Sequence, residues 1–143
     1  MYRSRKVNKQ YSPRKSIEQL RTGKKRCPFC HPEESETVYQ GNLLRIVINP
    51  FPYEFWEFMK VTDHLIIVPT RHVESLHEYT HTERSELIDV IAKYQEQGYN
   101  IYARADINTL KSIPHQHTHL LKTSNKQAVL FVYLRKPYLL FRR

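Results

Sequence analysis

The chain has 143 residues, 40% of them hydrophobic and 26% charged, which suits one globular domain with a proper core. Its three glycines, Gly23, Gly41 and Gly98, lie too far apart for the glycine-rich phosphate loops of P-loop NTPases or Rossmann dehydrogenases. The net charge of +9 is carried by the ends, with +9 over residues 1–26 and +6 over 122–143 against −6 for the body between them.

The N-terminal 26 residues hold ten Lys/Arg and a single acid, Glu18. They read first as a solvated leader. Tyr2 and Tyr11 could stack on bases, so a nucleic-acid contact through the basic termini is the second reading. No apolar segment follows the basic MYRSRKVNKQ, and the longest apolar run, Ala128 to Leu134, is seven residues. A bilayer span needs ~20. The expectation is a cytoplasmic protein without membrane contact. Residues 27–143 are expected to form the folded domain.

Ser16 to Arg21 reads as a short helical piece inside the leader. Cys27 and Cys30 then form a C-x-x-C, which in a cytosolic chain is either a redox pair or half of a metal site. The polar leader before it and His31-Pro32 after it do not resemble a strand–helix redox context, and this favours metal, given two further ligands downstream. Thr37–Gln40 and Leu43–Ile48 read as strands joined at Gly41-Asn42. Pro50 and Pro52 break the pattern, and Glu54 to Lys60 is an aromatic-rich connection without an assigned structure. His64–Val68 is nearly all apolar, as expected of a strand buried on both faces, and Pro69 ends it.

Leu87, Ile88, Ile91 and Tyr94 recur at helical spacing within Thr82–Gln97. Thr82 is the expected cap, with Glu86 one residue beyond capping-box spacing, and Gly98 stands where a C′ glycine ends a helix. Tyr99–Ala103, His115–Leu121 and Ala128–Leu134 read as further strands. Strands, one long helix and more strands make an α+β domain.

The chemistry concentrates in His115-Gln116-His117-Thr118-His119-Leu120-Leu121. On a strand, histidines at i, i+2 and i+4 share one face at ~6.6 Å intervals. On a helix the i+2 residue would lie nearly opposite. Pro114 and the apolar tail favour the strand.

His-x-His-x-His-x-x resembles the signature of the histidine triad superfamily of nucleotide hydrolases and transferases. Asn49-Pro50-Phe51-Pro52-Tyr53 is similar to that family's nucleotide-pocket turn, and Asp63 to His72 to its central strand and following turn. Gly98-Tyr99-Asn100-Ile101 and Ser112-Ile113-Pro114 are similar to the approach to the triad. The resemblance covers about Cys27 to Leu121. The chain departs from the pattern at the long segment Glu54 to Thr62, at Ala103-Arg104-Ala105-Asp106 in place of an asparagine–glycine stretch, and at Lys111-Ser112 in place of Gly-Gln. These departures bear on the phosphate-side contacts and the substrate rather than on the nucleophile.

The resemblance implies an antiparallel sheet with one long helix, closed by homodimerisation. It implies structural zinc on Cys27, Cys30, His72 and His115, as in the zinc-containing relatives. Four protein ligands make a closed tetrahedral site. His31 is a rival ligand, but its place next to Cys30 would strain the chelate ring. With His115 assigned to metal, the resemblance gives His117 the attack on the α-phosphorus and a nucleotidyl-histidine intermediate. His119 would contact the phosphate and protonate the leaving group. His64 would line the same cleft as a third member of the catalytic group. Asn49 would meet the ribose, Phe51 and Ile48 the base, and Ser112 the non-bridging oxygens.

Histidine rather than glutamine at position 119 favours hydrolysis of a phosphoanhydride or phosphoramidate over transfer. The Asn49–Tyr53 turn resembles the dinucleoside-polyphosphate branch and keeps phosphorolysis open. The expected partner is a purine nucleotide or dinucleoside polyphosphate. A zinc-stabilised nucleic-acid-binding module that resolves adenylated DNA ends is the alternative, and the acidic body argues against it.

Overall fold

The structure is a computed structural model. It describes residues 18–20, 22–23, 26–31, 36–108 and 110–127, together with the backbone of 131–135 and 138–142. The strands are β1 (Thr37–Gln40), β2 (Leu44–Ile48), β3 (Phe55–Trp56), β4 (Met59–Pro69), β5 (Tyr99–Ala103), β6 (Thr118–Gln127), β7 (Phe131–Arg135) and β8 (Tyr138–Arg142). The helix α1 (His81–Glu96) follows a short 3-10 turn at Leu76–Glu78. The sheet runs β1-β2-β4-β6-β5 with β3 folded onto β4, and its pairings are antiparallel. β7 and β8 pair with each other as a separate hairpin.

Strand alternation divides the sheet into two faces. On one, Leu44, Ile46, Leu65, Ile67 and Leu120 pack with Leu87 and Val90 of α1. On the other, Val47, Ile66 and Val68 pack against Phe29 of the cysteine turn. Cα pairing of Ile66 with His119 and of His64 with Leu121 puts both histidines on this second face, away from the helix. The central strand is therefore buried on both sides from His64 to Val68, as its apolar run requires.

The helix begins at His81, one residue before the expected Thr82, and its cap stands two residues earlier than expected. Thr80 is the cap: its hydroxyl accepts from the Glu83 N–H, and the Glu83 carboxylate accepts from the Thr80 N–H. Thr80-His81-Thr82-Glu83 has capping-box spacing, whereas Thr82 and Glu86 do not. Glu86 instead accepts from the N–H groups of Leu43 and Leu44 at the β1–β2 turn. Gly41 makes that approach feasible, since a Cβ there would lie 2.3 Å from Glu86 Oε1. Ile88 is exposed and Val90 is buried in its stead. Gly98 ends the helix at φ +85°.

Three further differences concern strands. β6 starts at Thr118 and runs on to Gln127, so His115 and His117 precede it. β4 starts at Met59, and the aromatic connection before it is the hairpin β3–β4, with Trp56 paired to Met59. Of the expected Ala128–Leu134 strand, 128–130 lie outside the described residues and β7 begins at Phe131. Residues 18–20 are helical, and the rest of the expected Ser16–Arg21 piece lies outside the described residues. So does almost all of the basic leader. Among the described residues no helix is long and apolar enough to cross a membrane.

Candidate active site and metal centre

Cys27 and Cys30 are brought together by a tight turn in which the Cys30 N–H donates to the Cys27 carbonyl at 3.1 Å. The guanidinium of buried Arg45, reaching from β2, donates to the Phe29 carbonyl inside the same turn. Phe29 then sets its ring against both His115 (5.7 Å, edge-on) and His117 (5.3 Å). His72 follows the end of β4, and its ring meets that of His115 at 4.7 Å. The ligand atoms of Cys27, Cys30, His72 and His115 all lie within 4.8 Å of one another, and His31 is not among them.

The four fit a divalent metal by their chemistry and spacing. His72 Nδ1 is 3.1 Å from Cys30 Sγ, and His115 Nδ1 is 3.5 Å from Cys27 Sγ and 3.6 Å from Cys30 Sγ. A tetrahedron with Zn–S of about 2.3 Å and Zn–N of about 2.0 Å has edges of about 3.3–3.8 Å. The His115 Nε2–H donates to the Pro69 carbonyl at 3.1 Å, which leaves the lone pair on Nδ1, the atom turned toward the thiols. Burial, helped by His72, pushes the His115 pKa down to about 4, so the ring is neutral, as a ligand must be. Burial pushes the Cys27 thiol up to about 11, and a bound cation would supply the charge that stabilises the thiolate.

The second half of the motif is organised by the main chain. Gln116 donates its N–H to the Val73 carbonyl at 2.6 Å, which ties the motif to the residue after His72. Lys111, buried, donates through Nζ to the Glu74 carbonyl and to Gln116 Oε1 at 3.0 Å. His117 lies 2.7 Å through Nδ1 from the His115 carbonyl. A carbonyl only accepts, so this nitrogen carries the proton and the lone pair sits on Nε2. Burial is the main reason its pKa falls to about 4, and the charges of Lys111 and Arg104 lower it further.

His119 is 5.1 Å from His117 ring to ring, and its Nδ1 is 2.9 Å from His64 Nε2. The Tyr53 N–H donates to His64 Nδ1 at 3.0 Å. Asn49 Nδ2 stands beside that ring, 3.2 Å from Nδ1 and 2.9 Å from Nε2. A neutral ring has one acceptor nitrogen, and the main-chain N–H, which can only donate, makes it Nδ1. This assignment places the His64 proton on Nε2, toward His119 Nδ1, and the His119 proton on its own Nε2.

Of the other anticipated residues, Asn49 is buried and its Oδ1 accepts from the Phe51 N–H at 2.9 Å. Ile48, Asn49 and His64 line one cavity of about 410 Å³ beneath the β3–β4 hairpin, with Tyr53 and Phe55. Phe51 is half-buried and Ser112 buried in the segment before the triad. Sequence reading missed Arg45. A lone arginine inside the apolar run Leu44–Ile48 was the available signal, because a buried cation needs a partner. It also left Trp56 and Tyr102 without a role, and took Tyr53 and Arg104 only as parts of the Asn49–Tyr53 turn and the Ala103–Asp106 stretch.

No family model matches this sequence, and no curated protein does. Solved structures do. The chain is similar to a HIT family hydrolase from Clostridium thermocellum at 19% identity and TM-score 0.54, with 74% of this chain and 98% of that one covered. It is similar to a Zn-bound histidine triad family protein from Mycobacterium smegmatis at 17% identity and TM-score 0.54, with 73% and 81% covered. A histidine triad nucleotide-binding protein from Candida albicans gives 17% identity and TM-score 0.53, with 78% and 85% covered. The chain thus has the histidine triad fold, as the motif resemblance implied.

Proposed function

We propose that this chain is a histidine triad enzyme that cleaves a nucleotide at its α-phosphorus through a nucleotidyl-His117 intermediate, hydrolysing a phosphoanhydride or phosphoramidate bond. The observation that carries the reading is the pair of Nδ1 contacts of the two imidazoles, His117 Nδ1 at 2.7 Å from the His115 carbonyl and His119 Nδ1 at 2.9 Å from His64 Nε2, which assign a lone pair to His117 Nε2 and a proton to His119 Nε2.

In the first step His117 Nε2 bonds to phosphorus and the P–O or P–N bond to the leaving group breaks. The leaving atom takes the electron pair and receives the proton of His119 Nε2. His117 now bears phosphorus on one nitrogen and a proton on the other. The His115 carbonyl facing that N–H stabilises the resulting positive charge. In the second step water gives its proton back to His119 and attacks phosphorus, the P–N bond breaks, and a nucleoside monophosphate leaves. The Asn49–Tyr53 turn and the neighbouring cavity offer surface for the nucleoside. Cys27, Cys30, His72 and His115 would hold one zinc ion, whose contribution is to cross-link the cysteine turn to the His115 carbonyl that orients His117.

Intact-mass measurement after mixing with an adenosine 5′-phosphoramidate tests this reading. Wild type gains one adenylyl group, and His117→Ala gains none while keeping its fold. His119→Ala still forms the adduct from substrates with good leaving groups but turns over ~10²–10⁴-fold more slowly with poor ones. An undiminished adduct in His117→Ala, or its mapping to another residue, overturns the mechanism.

A further inference from the structure

Cys27 and Cys30 are the only cysteines of the chain, and they are unequally placed. Cys30 is exposed, Cys27 is half-buried and His115 is wholly buried, so the four-residue cluster has an outer and an inner sulfur. A divalent cation held there would keep both sulfurs as thiolates, the nucleophilic form. An accessible thiolate beside a second cysteine that can resolve it is the arrangement on which reversible oxidation depends.

The turn that joins the two is already folded for a bond between them. The Cys30 N–H donates to the Cys27 carbonyl at 3.1 Å, closing a β-turn. A β-turn holds its first and fourth Cα atoms within about 7 Å, and a disulfide spans about 4.4–6.8 Å between Cα atoms. The two sulfurs themselves lie within 4.8 Å of each other. Joining them asks for side-chain rotation and no new course of the backbone.

The inner side of the same turn reaches the triad. Phe29, between the cysteines, sets its ring against His115 at 5.7 Å and His117 at 5.3 Å. Cys27 Sγ is 3.5 Å from His115 Nδ1, and the His115 carbonyl faces His117 Nδ1 at 2.7 Å. His115 is thus both the neighbour of the oxidisable sulfurs and the residue that orients the nucleophile.

We propose that Cys27 and Cys30 are a site of reversible oxidation by peroxide, at which closure of a Cys27–Cys30 disulfide frees the bound metal, releases His115 from its place behind His117 and switches the enzyme off. The proposal rests on the metal assignment above and concerns regulation of the site proposed there. The Cys30 thiolate attacks hydrogen peroxide, the O–O bond breaks, and a sulfenic acid and hydroxide form. The Cys27 thiolate then attacks the Cys30 sulfur, the S–S bond forms, the S–O bond breaks and a second hydroxide leaves. Two electrons pass from the sulfurs to peroxide, and two protons from solvent convert the hydroxides to water. His72 and His115 then remain as the only ligands, too few for a closed zinc site.

Titration of the zinc-loaded, reduced protein with hydrogen peroxide tests this. Free thiols should fall from two per chain to none, and the intact mass should fall by about 2 Da. About one zinc per chain should pass to a chromogenic chelator, and the melting temperature should drop. Transfer of the adenylyl group from adenosine 5′-phosphoramidate to His117 should slow about 10–100-fold, the scale on which loss of a ligand's supporting contacts acts. Dithiothreitol and zinc should restore every one of these readings. Thiols and zinc retained at several equivalents of peroxide overturn the switch and leave the metal assignment standing. Oxidation to sulfinic or sulfonic acid in place of the disulfide, or a disulfide with undiminished adduct formation, also overturns it. Reduced protein that holds no zinc overturns the metal assignment and the switch together. Zinc-bearing protein that closes the disulfide and releases its metal, yet forms no nucleotidyl-His117 even when reduced, leaves the oxidation site standing and overturns the mechanism.

Discussion

A neutral imidazole has one proton to place, and at His115, His117 and His64 the main chain decides where it goes. Pro69 O and His115 O each accept from one ring, and the Tyr53 N–H donates to the third. His64 is on this view a positioning residue that acts through His119. His64→Leu should slow turnover about tenfold to a hundredfold with poor leaving groups, less than the ~10²–10⁴-fold value of the acid itself. With good leaving groups the effect should be small, so a plot of rate against leaving-group pKa steepens. An equal loss across the series would assign His64 a packing role. Arg45→Met removes the donor to the Phe29 carbonyl. A buried acceptor left without a partner costs about 1–3 kcal/mol. The variant should melt lower and lose zinc to a competing chelator sooner than wild type.

At the scale of elements, the entry to α1 bears on the metal centre. Glu83, nearly buried, closes the capping box with Thr80 and also receives Arg71, Nη2 to Oε2 at 2.9 Å. Arg71 immediately precedes His72, so the helix terminus, the ion pair and the metal-ligand loop form one assembly. Thr80→Ala should cost about 1 kcal/mol in chemical denaturation. The hydrogen bond from Arg71 holds the Glu83 carboxyl below the usual carboxylate range. A depressed folded pKa stabilises above the unfolded value and is lost as pH falls through the folded one. Glu83→Gln should therefore be less stable than wild type at neutral pH, and the difference should shrink on acidification below about pH 4, the unfolded carboxylate range. A constant difference at all pH values would remove the ion pair from the account.

These same elements show where sequence reading worked. The Gly41-Asn42 turn before β2, the buried run of β4 and the Gly98 stop are local signals, and they sit within a few residues of the observed bounds. The triad and the C-x-x-C were visible as motifs, whereas their pairing with His72 and His115 across 42 to 88 residues is not contained in the spacing and was named only through the family resemblance. His115 and His117 were read as strand because their spacing allows it. Tertiary contacts prevail: His115 is drawn to the thiols and Gln116 to the Val73 carbonyl before β6 begins. The β3–β4 hairpin stayed hidden because Glu57-Phe58 lacks the Asn-Gly signature of its turn type.

Across the whole molecule, the metal centre ties the cysteine turn to two segments that the β4–β6 pairing already brings side by side, the loop after β4 and the approach to β6. A closed zinc site contributes folding free energy directly. Chelation, or Cys27→Ser, should lower the melting temperature strongly and slow adduct formation at His117, whose orienting carbonyl belongs to His115. Elemental analysis should find about one zinc per chain in protein prepared without chelators. Metal-free protein of full stability and full reactivity would sink both expectations.

The alternation along β4 has a consequence for how this protein tolerates change. Leu65 and Ile67 face the helix while His64 and Ile66 face the candidate site, so residues of the helix-side core and residues of the site-side layer are interleaved one by one. Substitutions can therefore alter one layer alone, but insertions cannot. One extra residue after Asp63 would exchange the faces of everything downstream, sending an imidazole into the oily layer under α1 and a leucine toward the substrate. The strand should behave like a reading frame, forgiving at single letters and intolerant of a shift by one.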